Sequence, residues 1–120
     1  MSNYTIFHNP RCSKSRQTLA LLEENGIEPE IRLYLENPPT ADELRALLAQ
    51  LGIDARSLLR KGEDEYKALK LNDLGLSDAE LINAMANHPR LIERPIVTRV
   101  SGSKRSSVLG RPPENVLEIL

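Results

Sequence analysis

Hydrophobic positions along the 120 residues switch between two periods, and each switch falls beside a turn-forming residue. Tyr4-Thr5-Ile6-Phe7-His8 is a β-rich run, so residues 4–8 predict a strand that the breaker pair Asn9-Pro10 ends. Leu19, Leu21 and Leu22 then recur at helical spacing until Asn25-Gly26, which predicts a first helix opening near Cys12. Glu30-Ile31-Arg32-Leu33-Tyr34 alternates again and reads as a second strand, closed by Asn37-Pro38-Pro39. Thr40-Ala41-Asp42-Glu43 is a capping-box pattern, and Leu44, Leu47, Leu48 and Leu51 line one face of the helix it opens, up to Gly52. Asp54 should cap a short helix running through Leu58, Leu59 and Arg60 to Gly62, with another helical turn over residues 65–69. Ser77-Asp78-Ala79-Glu80 repeats the capping box before Leu81, Ile82 and Met85, and His88-Pro89 stops that helix.

The last thirty residues change character. Ile96-Val97-Thr98-Arg99-Val100 and Ser106-Ser107-Val108-Leu109 are β-type runs joined by Ser101-Gly102-Ser103-Lys104-Arg105, a hairpin pattern, and residues 113–120 read as a final short helix. The element order is βαβ, a block of small helices, a β-hairpin and a helix. A right-handed βαβ unit followed by an antiparallel hairpin predicts an α/β fold with a four-stranded mixed sheet of the thioredoxin kind. Residues from about 39 to 90 form a helical insertion in what reads as a single domain over residues 1–120.

Composition narrows the chemistry. A chain of this length with 40% hydrophobic residues has room for one modest core. The net charge of −1 argues against a general nucleic-acid binder, so the basic residues are read as local tools. One cysteine cannot form an internal disulfide, and no charged segment leads into an apolar signal region, which predicts a reducing cytoplasm. No apolar run approaches the roughly 20 residues needed to span a membrane. Cys12, His8 and His88 lack metal-ligand spacing, so no metal is expected.

The sole cysteine sits where strand passes to helix, in Phe7-His8-Asn9-Pro10-Arg11-Cys12-Ser13-Lys14-Ser15-Arg16. A helix opening there would aim its first backbone N–H groups at the sulfur, with Arg11, Lys14 and Arg16 nearby. Thiols in such settings fall from about 8.5 to roughly 3.5–7.5. The same geometry attracts an oxyanion. An isolated cysteine is also often a small buried hydrophobe, but polar neighbours on both sides are unusual for a core position. Ser15 could face the sulfur from the same turn and donate a hydrogen bond. His8 could be a packed strand-end histidine or could assist a thiolate across the loop. Arg60, Arg94 and Arg111 each stand at a junction: before Gly62, before Pro95 and before Pro112-Pro113. Each taken singly could be a solvated surface charge, although a following proline restricts the direction of Arg94 and of Arg111.

Five blocks together carry a resemblance. His8-Asn9-Pro10-Arg11-Cys12-Ser13-Lys14-Ser15-Arg16, Tyr34-Leu35-Glu36-Asn37-Pro38-Pro39-Thr40, Leu58-Leu59-Arg60-Lys61, Arg94-Pro95-Ile96-Val97 and Gly110-Arg111-Pro112 stand in the order found in the glutaredoxin-linked arsenate reductases. The resemblance covers nearly the whole chain. It implies that Cys12 is the nucleophile that forms a cysteine–arsenate adduct, and that Arg60, Arg94 and Arg111 hold the oxyanion. His8 and Ser15 match positions that help keep the sulfur ionised. Glutathione is then a co-substrate and glutaredoxin the protein partner, with no bound cofactor and a monomeric chain. An arginine six residues after the nucleophile marks the phosphatase-like class of arsenate reductase; that position here is Thr18, which excludes it.

Two other readings come with the fold. Spx-type transcription regulators share it and bind RNA polymerase, but usually carry a Cys-x-x-Cys switch where this chain has Cys12-x-x-Ser15. A general thiol oxidoreductase acting on mixed disulfides would have no need of the three arginines.

Overall fold

The structure, a computed structural model, describes residues 2–120. It forms two units, Met1–Asn37 with Arg94–Leu120 as one and Pro38–Glu93 as the other.

In the first unit, β1 (Ser2–Phe7), α1 (Ser13–Glu24) and β2 (Glu30–Arg32) make the βαβ unit, and β1 pairs in parallel with β2. The hairpin strands β3 (Ile96–Ser101) and β4 (Lys104–Leu109) complete a four-stranded sheet in the order β2-β1-β3-β4, with β3 antiparallel to both its neighbours. This is the mixed thioredoxin-like sheet that the alternation of periods predicts. Ile6, Leu22, Val97 and Val116, all fully buried, form the core between sheet and helices, with Leu19, Ile27, Val108 and Ile119 packed around them. Burying side chains of this size stabilises the fold by about 1.5–3 kcal/mol each. On β1, Phe7 stacks with buried Tyr34 at 6.0 Å between ring centroids.

Three boundaries differ from the pattern. β2 stops at Arg32 because the Leu33 carbonyl accepts from the Glu36 and Asn37 N–H groups and begins a turn. The hairpin is longer than expected, since Gly102, at φ 63°, lets the chain reverse in two residues and Lys104 pairs with Ser101. The final helix is a 3-10 helix, Pro113–Ile119; Pro112 and Pro113 lack N–H donors, and the Asn115 N–H bonds back to the Pro112 carbonyl.

The second unit is helical. Its α2 (Ala41–Leu51) and α5 (Asp78–Asn87) both open with complete capping boxes, Thr40 with Glu43 and Ser77 with Glu80, each stabilising its helix start by about 1 kcal/mol. Leu44, Leu47 and Leu48 on α2 and Leu81, Ile82 and Met85 on α5 are buried. Between them lie α3 (Ala55–Leu58) and α4 (Asp64–Ala68), and a 3-10 turn, Pro89–Leu91, follows α5.

The expectation that α3 runs on through Arg60 is corrected here. Leu59 leaves the helix for an antiparallel bridge with Ile92, flanked by bonds from the Arg60 N–H to the Leu91 carbonyl at 2.8 Å and from the Glu93 N–H to the Leu58 carbonyl at 2.9 Å. Tertiary pairing of two buried residues outweighs the local helical tendency. Among the described residues, no helix is long and apolar enough to cross a membrane, and no group of three His, Cys, Asp or Glu side chains could hold a metal ion.

Candidate active site

The register of the sheet places three of the sequence-predicted residues at one end of it. Phe7 pairs with Ile96 and Ile96 with Leu109, so β1, β3 and β4 finish side by side. Cys12 lies five residues beyond Phe7, Arg94 two residues before Ile96, and Arg111 two residues after Leu109. Both arginines precede cis prolines, Pro95 and Pro112.

The loop carrying Cys12 is held by its own backbone. The Cys12 N–H donates to the Asn9 carbonyl at 2.9 Å, and the Cys12 carbonyl accepts the first helical bond, from the Arg16 N–H at 3.0 Å. The Asn9 side chain accepts from the Arg11 N–H, and the Arg16 guanidinium donates to the Pro10 carbonyl at 2.8 Å. Cys12 is therefore the extended N-cap of α1, with a half-buried sulfur that makes no full capping bond.

Several groups act on that sulfur. Partial burial pushes its pKa up, but the Ser15 N–H, a hydrogen bond and the positive charge from Arg94, and the Lys14 N–H together outweigh burial and leave the thiol below its ordinary value of 9.0. Arg111 adds a longer contact, Nη2 to Sγ at 3.8 Å.

Ser15 does not use its hydroxyl as the sequence suggests. The side chain is fully buried and its Oγ lies 2.7 Å from His8 Nδ1 while accepting from the Asn9 N–H at 3.0 Å. Its support of the sulfur comes through the backbone N–H. His8 is buried beside it, and burial, with the charge of Arg16, lowers its pKa below 6.5. A neutral imidazole packed against Ser15 braces the loop from beneath. Arg11 and Lys14 are exposed.

Gly110 and Thr18 are site neighbours that sequence reasoning missed. The Gly110 N–H bonds to the Pro95 carbonyl at 2.9 Å, and a Cβ on Gly110 would lie 2.6 Å from Thr18 Oγ1 and 2.8 Å from Pro95 Cγ. The absence of a side chain thus lets the segments carrying Arg94 and Arg111 close on each other and on α1. The signal available was the Gly-Arg-Pro triplet itself.

Arg60 belongs to the second unit. Its Nη1 donates to Glu93 Oε1 at 2.8 Å and its Nε to Glu63 Oε1 at 3.3 Å. Neither glutamate was singled out in the sequence, because Glu63 is only three residues away and Glu93 becomes a neighbour solely through the Leu59–Ile92 bridge.

The arrangement of the first unit joins an activated thiol to two guanidinium groups and a helix N-terminus, a setting in which a nucleophile can meet a small oxyanion. Comparison with known proteins identifies relatives of the chain. The family model described as the ArsC family matches residues 7–119. The chain is 58% identical over 116 residues to an uncharacterised protein of Escherichia coli K12, YfgD, covering 96% of this chain and 94% of that one. It is 53% identical over 116 residues to an arsenate reductase of Haemophilus influenzae, with 96% and 97% covered. Among solved structures, an arsenate reductase from Vibrio cholerae superposes with a TM-score of 0.91 at 53% identity, covering 98% of each chain.

Proposed function

Because the chain belongs to the ArsC family, we propose that it reduces arsenate to arsenite through an adduct on Cys12, with glutathione and glutaredoxin supplying the electrons. The observation that carries this reading is the Cys12 sulfur, lowered in pKa and facing Arg94 and Arg111. Arsenate carries one to two negative charges at neutral pH, so a thiolate approaches it only where cations offset the repulsion, and guanidinium forks match its oxygens. Arg60 enters as the third cation on the strength of its Leu58-Leu59-Arg60-Lys61 block.

The reaction balances as follows. The Cys12 thiolate forms an S–As bond and one arsenate oxygen leaves as water, with arsenic still pentavalent. Glutathione forms a second S–As bond and a second water departs. A glutaredoxin thiolate then attacks the glutathione sulfur; a disulfide forms, and the electron pair of the broken S–As bond reduces arsenic to the trivalent state. Water hydrolyses the remaining Cys12–As bond, releasing arsenite and the thiol. Ser15 stands where a resolving cysteine would stand in a dithiol enzyme, which is why outside thiols are required. Such a reaction belongs in a reducing cytoplasm, and a monomer contains every residue it names.

The test is a coupled assay with arsenate, glutathione, glutaredoxin and NADPH-linked recycling of glutathione. Arsenate-dependent turnover that Cys12→Ser abolishes is expected. Turnover of a mixed-disulfide substrate without any response to arsenate would overturn the reading.

A further inference from the structure

Asn115 makes two bonds to the segment that carries Arg111. Its side-chain Nδ2 donates to the Arg111 carbonyl at 3.0 Å, and its backbone N–H donates to the Pro112 carbonyl, also at 3.0 Å. Pro112 and Pro113 have no N–H to offer, so a side chain four residues on supplies a donor that the next two peptide groups lack. Asn115 is itself held by its neighbour, because Val116 is fully buried in the core with Ile6, Leu22 and Val97. On the other side of Arg111, the Gly110 N–H bonds to the Pro95 carbonyl at 2.9 Å. The backbone is thus fixed before and after the Arg111 Cα. The far end of the Arg111 side chain rests through Nε on the Arg94 carbonyl at 2.6 Å, with Nη2 3.8 Å from the Cys12 sulfur. All of these residues belong to the first unit.

We propose that Asn115 is a positioning residue for oxyanion binding, tying the Arg111 backbone to the core so that the guanidinium is presented beside Cys12 in one orientation. The proposal rests on the reading of Arg111 as an oxyanion ligand. A long arginine side chain on a loosely held backbone must be ordered when the anion arrives, whereas one held at both ends has already been ordered by folding. Taking away the amide donor loosens the Arg111 peptide while leaving its charge in place. The groups that lower the Cys12 pKa are the Ser15 and Lys14 N–H and Arg94. Loosening Arg111 therefore weakens the hold on an anion without making the thiol harder to ionise, a pairing that general distortion of the site does not produce.

The sole cysteine provides a readout independent of turnover. Arsenate bound beside Cys12 slows alkylation of the thiol by iodoacetamide, and the arsenate concentration giving half-protection measures affinity. Asn115→Leu, similar in size but without a donor, should raise that concentration about threefold to tenfold, the worth of one hydrogen bond. The pH midpoint of alkylation should stay where it is in the native chain. In the Arg111→Met background, Asn115→Leu should have no effect on protection. An unchanged concentration in Asn115→Leu, with Arg111→Met still raising it tenfold, overturns the proposal and leaves Arg111 as a ligand. An equal loss of protection with and without Arg111, or an upward move of the pH midpoint, overturns it too, because Asn115 would then act on the whole loop. If Arg111→Met itself changes nothing, the reading of Arg111 fails and the proposal falls with it. Thermal melts monitored by circular dichroism confirm folding, and Asn115→Ala, which keeps the backbone bond to Pro112, repeats the comparison if the leucine variant does not fold.

Discussion

Arg111 reaches the Cys12 sulfur through Nη2 at 3.8 Å while its Nε donates to the Arg94 carbonyl. One planar group thus ties the segment after β4 to the segment before β3 and still faces the nucleophile. A lysine has a single nitrogen and cannot span both partners. Arg111→Lys should therefore keep the positive charge but raise the KM for arsenate by roughly tenfold, about 1.4 kcal/mol of binding, with a smaller change in kcat. Steady-state kinetics on the two proteins decide it; an unaltered KM would show that charge alone suffices at this position.

Arg94 acts on the sulfur by both hydrogen bond and charge. Removing it leaves the N–H groups of Ser15 and Lys14 to oppose burial. The alkylation rate of Cys12 plotted against pH should have its midpoint below 9.0 in the native chain and move upward in Arg94→Met, so that the variant thiol is less ionised at neutral pH. A superimposable pair of profiles would assign the lowered pKa to the helix terminus alone.

The elements of this fold are legible because local and tertiary preferences agree. The two capping boxes, the alternating strands and Asn25-Gly26 after α1 each specify their own boundary within a few residues. The arrangement of the site is less legible, since it depends on register. Nothing in Arg94-Pro95 or Gly110-Arg111 states that Ile96 pairs with Leu109, and that pairing is what brings the two arginines to one place. Arg60 shows the limit most clearly: its local sequence reads as a helix end, while a bridge to a residue more than thirty positions away sets its conformation and supplies Glu93. The direction of the Ser15 hydroxyl was equally hidden, because residues seven apart, His8 and Ser15, meet only once the loop is folded.

That hydroxyl gives a prediction separating stability from catalysis. Ser15→Ala leaves the Asn9 N–H and His8 Nδ1 without their shared buried partner, at a cost of about 1–3 kcal/mol, or a fall of roughly 4–12 °C in melting temperature. The backbone N–H that supports the sulfur remains. The pH midpoint of Cys12 alkylation should stay within a few tenths of a unit of the native value. A large upward movement would give the hydroxyl a direct part in ionising the thiol.

His8 links folding to pH. Burial and the charge of Arg16 lower its folded pKa below the 6.5 of the unfolded chain, so between those two values the unfolded state binds more protons than the folded one. Stability therefore rises with pH through this window and reaches its plateau above 6.5; acidification below 6.5 removes stability as the unfolded chain is protonated first. His8→Gln keeps a hydrogen-bonding group near Ser15 and cannot titrate. Denaturant melts at intervals from pH 5 to pH 8 should show the native chain losing stability on the acid side more steeply than the variant, with the two curves parallel above pH 7. Equal slopes throughout would mean that the folded and unfolded chains protonate His8 alike, and the buried, neutral imidazole described beside Ser15 would have to be abandoned.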